Sequence, residues 1–123
     1  CVELPSIPAG EDTPVHALLR SASRPTAIVV SDDILALTLE RICTETGLSI
    51  PADLSILSFN NSLFARLTSP QLTSIDINSC QLGIEAAAQM ISHIENPELP
   101  ATKILVPHQL IERDSCARPV SHS

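Results

Sequence analysis

The chain has 123 residues, with 7 basic and 14 acidic side chains, a formal charge of −7 and a pI near 4.8. This length suits one domain or part of one, and the acidic balance argues against binding to a phosphate backbone, which needs clustered Lys and Arg. No apolar run approaches the ~20 residues of a membrane span, and three glycines are too few for a Gly-rich phosphate loop.

Helix and strand signals alternate along the first half of the chain. Residues 27–30 are a continuous apolar run, which is typical of a strand buried on both faces of a parallel sheet. Asp32 follows this run as a helix-capping residue, and a helix is predicted over about residues 33–46 with Gly47 as its stop. That helix is apolar on more than one side, which predicts contacts with the sheet and with a second subunit.

The second half continues the alternation. Residues 55–59 are predicted to be a second buried strand, and residues 72–77 a third extended segment. A helix is expected over about residues 79–95, with one apolar face that consists of Leu82, Ala86, Met90 and Ile94. Beyond it, the pattern predicts short strands at 104–106 and 110–111 and a loose tail over 114–123.

This order of elements predicts an α/β fold with a doubly wound parallel sheet. In such sheets, ligands bind beyond the carboxyl ends of the strands. Two polar segments fall at those ends, Ser31-Asp32-Asp33 and Asn60-Asn61-Ser62. Asp and Asn suit sugar hydroxyls, since a carboxylate accepts hydrogen bonds and an amide both donates and accepts them. For Asn60-Asn61 the alternative is a plain turn, a conformation that Asn favours.

Patterns for catalysis and metal binding are weak in this sequence. Asp32 and Asp33 suit acid–base chemistry, a metal or phosphorylation, but a carboxylate at this position also caps the following helix. No serine lies in a G-x-S-x-G elbow, and no C-x-x-C pair exists among the four cysteines, which are Cys1, Cys43, Cys80 and Cys116. We therefore expect no enzyme activity, no cofactor, no metal, and free thiols.

Five blocks of the chain resemble motifs of the LacI/GalR family of transcription factors. Residues 25–36 (PTAIVVSDDILA) are similar to the stretch around the family's N/S-D-x-x-A element, and residues 46–61 (TGLSIPADLSILSFNN) resemble its G-x-x-I/V-P-x-D block, which ends in F/Y-D-D. Three shorter blocks match in the same order, at residues 69–75 (SPQLTSI), 81–83 (QLG) and 110–115 (LIERDS). One departure is Ser-Phe-Asn-Asn over residues 58–61 in place of Gly-Phe/Tyr-Asp-Asp, a form similar to the maltose-operon repressor branch.

The resemblance implies a periplasmic-binding-protein-like effector domain, in which a sugar lies in the cleft between two α/β subdomains. Residues 1–123 would form part of this domain, and residues 1–75 its C-terminal subdomain. Residues 76–101 would be the crossover and a helix of the N-terminal subdomain, residues 102–113 the returning strands, and residues 114–123 the tail. The family's DNA-binding helix-turn-helix and most of its N-terminal subdomain have no counterpart in the chain.

The same resemblance implies which residues form the site. Asp32 and Asn60 sit at sugar-contacting positions of the family, and Ile77 and Ser79 lie in the crossover, where members often place a further contact. The family dimerises through its C-terminal subdomain, which assigns the interface to Ile34, Leu37, Leu63, Phe64 and Leu67.

One function and two alternatives follow from these inferences. The chain is expected to contribute one cleft wall and the dimer interface of a cytoplasmic, sugar-responsive repressor, with maltose or a malto-oligosaccharide as effector. Operator DNA would be bound only through the helix-turn-helix, and no membrane would be involved. A periplasmic sugar-binding protein shares the architecture but needs a secretion leader, and a small α/β enzyme would use Asp32 and Asp33.

Overall fold

The computed structural model describes residues 14–119, which contain four helices and four strands. The helices are α1 (Pro14–Arg20), α2 (Asp33–Thr46), α3 (Leu63–Leu67) and α4 (Ser79–Glu95). The strands are β1 (Ala27–Val29), β2 (Ser55–Phe59), β3 (Thr73–Asp76) and β4 (Gln109–Ile111). The predicted α/β class is confirmed.

The strands form one sheet in the order β1-β2-β3-β4. β1, β2 and β3 are parallel, whereas β4 is antiparallel to β3, with Leu110 opposite Ile75. Because the three parallel strands are neighbours, their carboxyl ends and the loops that follow them lie along one edge. We call this edge, formed by the loops after β1, β2 and β3, the carboxyl edge.

α2 has the bounds that its end signals predict. Asp32 accepts a hydrogen bond from the backbone N–H of Leu35 at 2.8 Å, and Gly47 ends the helix with a φ of +76°. A buried cluster joins α1, α2 and the sheet, and its large members are Leu19, Leu39, Ile42, Leu54, Ile56 and Leu72. Each buried Leu or Ile contributes about 1.5–3 kcal/mol to stability, so this cluster holds both helices against the sheet.

Two predictions about strands are wrong. β1 is an edge strand and is not buried on both faces, since Val29 is 65% exposed. Residues 104–106 form no strand, although they are apolar, and Leu105 is 81% exposed. An apolar run makes a buried strand only where other elements cover it.

The prediction of a loose tail from residue 114 is also wrong at its beginning. Ser115 is fully buried, and its hydroxyl donates a hydrogen bond to the Ile56 carbonyl at 2.6 Å. The same hydroxyl accepts one from the Thr73 N–H at 2.8 Å. Residues just after β4 therefore pack between β2 and β3 and tie them together.

α4 has the predicted bounds, and none of its residues is buried within the part of the chain that the structure describes. Its predicted apolar face is open to solvent: Met90 is 66% exposed and Ile94 is 72% exposed. Asn78 precedes the helix with a φ of +54°. The apolar face of α4 is of the kind that is normally buried against another element, and none of the described residues covers it.

Candidate functional site

The four candidate effector residues all follow strands at the carboxyl edge. Asp32 comes after β1, Asn60 directly after β2, and Ile77 and Ser79 after β3. Since these strands are parallel neighbours, the sheet brings all four positions to one edge, the place where α/β sheets bind ligands. Asn60 and Ser79 are exposed there, while Asp32 and Ile77 are half-buried.

Asp32 and Asp33 have different environments, although they are adjacent in sequence. One carboxylate oxygen of Asp32 caps α2, whereas Asp33 is only 1% exposed. Asp33 accepts hydrogen bonds from the hydroxyls of Ser58 at 2.5 Å and Ser74 at 2.9 Å, and from the N–H of Ser62 at 2.6 Å. Burial opposes its ionisation, but the bonds from Ser58, Ser62 and Ser74 together hold the pKa of Asp33 below its ordinary value. Asp33 is thus a buried anchor for β2, β3 and the loop between them, and it is not presented to a substrate.

The loop after β2 has a left-handed backbone at two successive residues. Asn60 has a φ of +92° and Asn61 a φ of +46°, and Asn tolerates this region better than most other residues. The N–H of Asn60 donates to the Ile75 carbonyl at 2.9 Å, and that of Asn61 donates to the Ser74 hydroxyl at 3.0 Å. The pair therefore forms a turn, and that turn leaves the Asn60 side chain exposed at the carboxyl edge.

The side chain of Asn61 joins this loop to two other segments. Its Nδ2 donates to Oδ2 of Asp76 at 2.9 Å, and its Oδ1 accepts from Nη2 of Arg113. Nη1 of Arg113 donates in turn to the Leu72 carbonyl at 2.6 Å. Hydrogen bonds from the Asn61 amide and from the Asn78 N–H hold the pKa of Asp76 below its ordinary value.

Sequence reasoning missed Asp76 and Arg113 as members of the site. Arg113 stands in the block LIERDS, which carries the resemblance but had no role assigned to it. Asp76 lies 15 residues from its partner Asn61, and Arg113 lies 52 residues away. Only the pairing of β2 with β3 and of β3 with β4 brings them together.

A cavity of about 350 Å³ opens beside the candidate site, where the chain leaves β3 and where it enters β4. It is lined by Asp76, Asn78, Pro107, His108 and Gln109. Its volume is at the lower end of the range for small-molecule sites. The cavity extends the polar surface of the carboxyl edge toward β4.

The residues assigned to the dimer interface form an apolar surface on α2 and α3, which pack against each other. We call it the α2–α3 patch, and its members are Ile34, Leu37, Leu63, Phe64 and Leu67. Four of them are exposed, with Leu67 at 69%, and Leu37 is half-buried. Contiguous apolar surface of this kind marks contact sites in folded proteins.

Residues 14–119 were also compared with the patterns of metal sites, disulfide bonds and membrane spans. No cluster of three or more His, Cys, Asp or Glu side chains there could hold a metal ion. Cys43, Cys80 and Cys116 are free thiols, while Cys1 lies outside the described residues. None of the described helices is both long and apolar enough to cross a membrane.

Comparison with known proteins shows the family. The periplasmic binding protein-like domain matches residues 3–116. The HTH-type transcriptional repressor PurR of Pectobacterium carotovorum subsp. carotovorum is 35% identical over 103 residues, which cover 84% of this chain and 30% of that repressor.

Two solved structures support the same relationship. A protein described as a LacI transcriptional regulator from Bacillus cereus subsp. cytotoxis NVH 391-98 has a TM-score of 0.80 and 39% identity, over 84% of this chain and 36% of that one. A LacI family transcriptional regulator from Enterococcus faecalis V583 with bound ribose has a TM-score of 0.77 and 34% identity, over 87% of this chain and 39% of that one.

The chain therefore belongs to the periplasmic binding protein-like domain family, in its LacI/GalR group. The predicted family and the predicted periplasmic-binding-protein-like fold are both confirmed. The chain spans about 30% of the length of the curated relatives that it matches.

Proposed function

We propose that residues 14–119 form one wall of the effector cleft of a sugar-responsive transcriptional repressor. The observation that carries this proposal is the carboxyl edge, where three neighbouring parallel strands end in polar loops. A ligand-binding cleft at that edge is the usual arrangement in α/β sheets. The regulator from Enterococcus faecalis with bound ribose, at 34% identity, supports a sugar as the ligand class.

Four residues contribute to the wall. The exposed amide of Asn60 both donates to and accepts from sugar hydroxyls, and Asp32 offers a carboxylate to them. Ile77 and Ser79 lie where the chain leaves β3, so that Ile77 provides apolar contact and Ser79 a hydroxyl. Maltose or a malto-oligosaccharide is the specific ligand that we propose, based on the Ser-Phe-Asn-Asn segment.

The full-length gene product is proposed to act in the cytoplasm, where it meets its operator. DNA contact then falls to a helix-turn-helix outside these residues, since the chain has a net charge of −7. No catalytic step is proposed: Asp33, which an acid–base site would need beside Asp32, is enclosed by three hydrogen-bond donors.

The decisive experiment is a calorimetric sugar titration of the full-length gene product. We expect saturable binding of maltose, and weaker binding for Asp32→Ala and Asn60→Gly, each with unchanged operator affinity. Glycine is the better choice at residue 60 because a φ of +92° would strain alanine. Gln71→Ala, exposed at the opposite end of β3, is the matched control and should bind like the wild type.

Three results would contradict parts of this proposal. Binding of ribose but not of maltose would overturn the specific ligand and leave the sugar site in place. Normal binding by both site variants would show that the assignment of Asp32 and Asn60 is wrong. A gene product that binds sugar, carries a secretion leader and has no DNA-binding segment would instead be a periplasmic sugar-binding protein.

We further propose that the repressor is a homodimer that pairs through the α2–α3 patch. Packing two copies of the patch together would bury Leu67, which is 69% exposed, along with its neighbours. Leu67→Glu should convert a dimer into a monomer in sedimentation equilibrium. Leu105→Glu, at an apolar residue outside the patch that is 81% exposed, should leave the dimer intact. Equal sedimentation of wild type and Leu67→Glu would refute the assignment.

A further inference from the structure

Asn61 has both ends of its side-chain amide engaged. Nδ2 donates to the carboxylate of Asp76 at 2.9 Å, and Oδ1 accepts from the guanidinium of Arg113. The side chain is half-buried, and the backbone N–H of the same residue is held by Ser74. The hydrogen-bonding groups of the Asn61 side chain are therefore occupied by other residues of the protein, whereas the side chain of its neighbour Asn60 is exposed.

We propose that Asn61 is a positioning residue: through its hydrogen bond to Asp76, it holds the Asn60 turn in place and connects this turn to the chain segment that leads into α4. This inference rests on the proposed function, in which Asn60 contacts the effector. Its new content is the role of Asn61, Asp76 and Arg113, none of which touches a sugar in the arrangement proposed above.

An amide is the side chain that suits this place. Arg113 can only donate hydrogen bonds and the Asp76 carboxylate can only accept them, so a residue between them must do both. Aspartate at residue 61 would tolerate the same backbone and would suit Arg113, but it would bring two carboxylates together. The identity of residue 61 thus depends on the identity of residue 76.

The connection continues from Asp76 to α4. The second oxygen of Asp76 accepts a hydrogen bond from the N–H of Asn78 at 2.8 Å. Asn78 has a φ of +54° and immediately precedes the first residue of α4. Four residues therefore form a continuous chain of hydrogen bonds, in the order Arg113, Asn61, Asp76 and Asn78. This chain of hydrogen bonds links the position of the Asn60 turn to that of the residue before α4.

The charged and titratable side chains near Asp76 include Arg113 and His108. Arg113 lies on the far side of the Asn61 amide, and His108 lines the same cavity as Asp76. Because Asn61 is the main hydrogen-bond donor to Asp76, its loss should change the titration of that carboxyl directly.

The test is an exchange of the two residues. Wild type, Asn61→Asp, Asp76→Asn and the double variant are prepared in the 123-residue chain and in the full-length gene product. In Asn61→Asp we expect NMR titration to show a higher pKa of Asp76 than in the wild type, because a hydrogen-bond donor is lost and a second carboxylate is added, and exchange of the amide protons of residues 60–62 to be accelerated. The double variant keeps an amide facing a carboxylate, and we expect it to restore slow exchange. Gln71→Glu, which adds the same charge at the other edge of the sheet, should change neither measurement.

Sugar affinity supplies the functional measurement. We expect about 10-fold weaker binding for Asn61→Asp and recovery to within about 3-fold of wild type in the double variant. An Asp76 titration that is the same in wild type and Asn61→Asp would overturn the pairing itself. Restored amide protection without restored affinity would overturn the positioning role. If the wild-type product binds no sugar, the proposed function fails, and the titration and exchange measurements still decide the pairing.

Discussion

Replacing Glu40 by glutamine should stabilise the protein at neutral and alkaline pH. Glu40 lies on α2, and its Oε1 is buried with no hydrogen-bond partner among residues 14–119. Burial raises the pKa of Glu40 from its ordinary value of 4.5 to about 7. The folded protein therefore binds this proton more tightly than the unfolded chain does, so stability falls as the pH rises from 4.5 to 7.

The size of this stability change follows from the difference between the ordinary pKa of Glu40 and its pKa in the folded protein. Each pKa unit corresponds to about 1.36 kcal/mol, so a gap of 2.5 sets an upper bound of about 3.4 kcal/mol. Glu40 is partly exposed, and solvent screening reduces the effect to about 1–2 kcal/mol. Glu40→Gln removes the charge and keeps the shape of the side chain. Its free energy of unfolding should therefore exceed that of the wild type by this amount at pH 8 and by almost nothing at pH 4.5.

Urea unfolding followed by circular dichroism at pH values from 4.5 to 8 measures this difference, since the chain has no Trp or Tyr for fluorescence. Contributions from the rest of the molecule are the same in both proteins and cancel in the comparison. Glu95→Gln, at an exposed residue of α4, is the control and should follow the wild type. Parallel stability curves for wild type and Glu40→Gln across this pH range would refute the argument.

Three further predictions can be tested on the 123-residue chain. Asp33→Asn should lower the free energy of unfolding by about 2–4 kcal/mol in urea titrations, because one amide oxygen cannot serve three donors; a loss below 0.5 kcal/mol would contradict its role as an anchor. The chain should self-associate at tens of micromolar through the exposed face of α4, so Met90→Glu should reduce the mass measured by light scattering, and a monomeric wild type would refute this. In gel-shift assays the chain should show no specific DNA binding, because its net charge is −7; a nanomolar complex at physiological salt would disprove that.

Local chemistry determined those elements whose ends carry their own signals. Asp32 and Gly47 set the bounds of α2 because a cap and a left-handed stop act within a few residues. β2 and α4 likewise have their predicted bounds, and the polar loops at residues 32 and 60 could be placed at strand ends from the sequence pattern alone. The family motifs could also be found from the sequence alone, since they follow one another in a fixed order along the chain.

Only the tertiary structure decided which apolar runs are buried and which distant residues form hydrogen bonds with each other, because both depend on the neighbouring strands and helices. The apolar runs at residues 27–30 and 104–106 look alike in sequence, but the first becomes an edge strand and the second no strand, because only neighbouring elements determine burial. Asn60 and Asn61 are chemically identical, and one is exposed while the other is bound by Asp76 and Arg113. Partners 15 and 52 residues away leave no local pattern, and only strand pairing places them within hydrogen-bond distance.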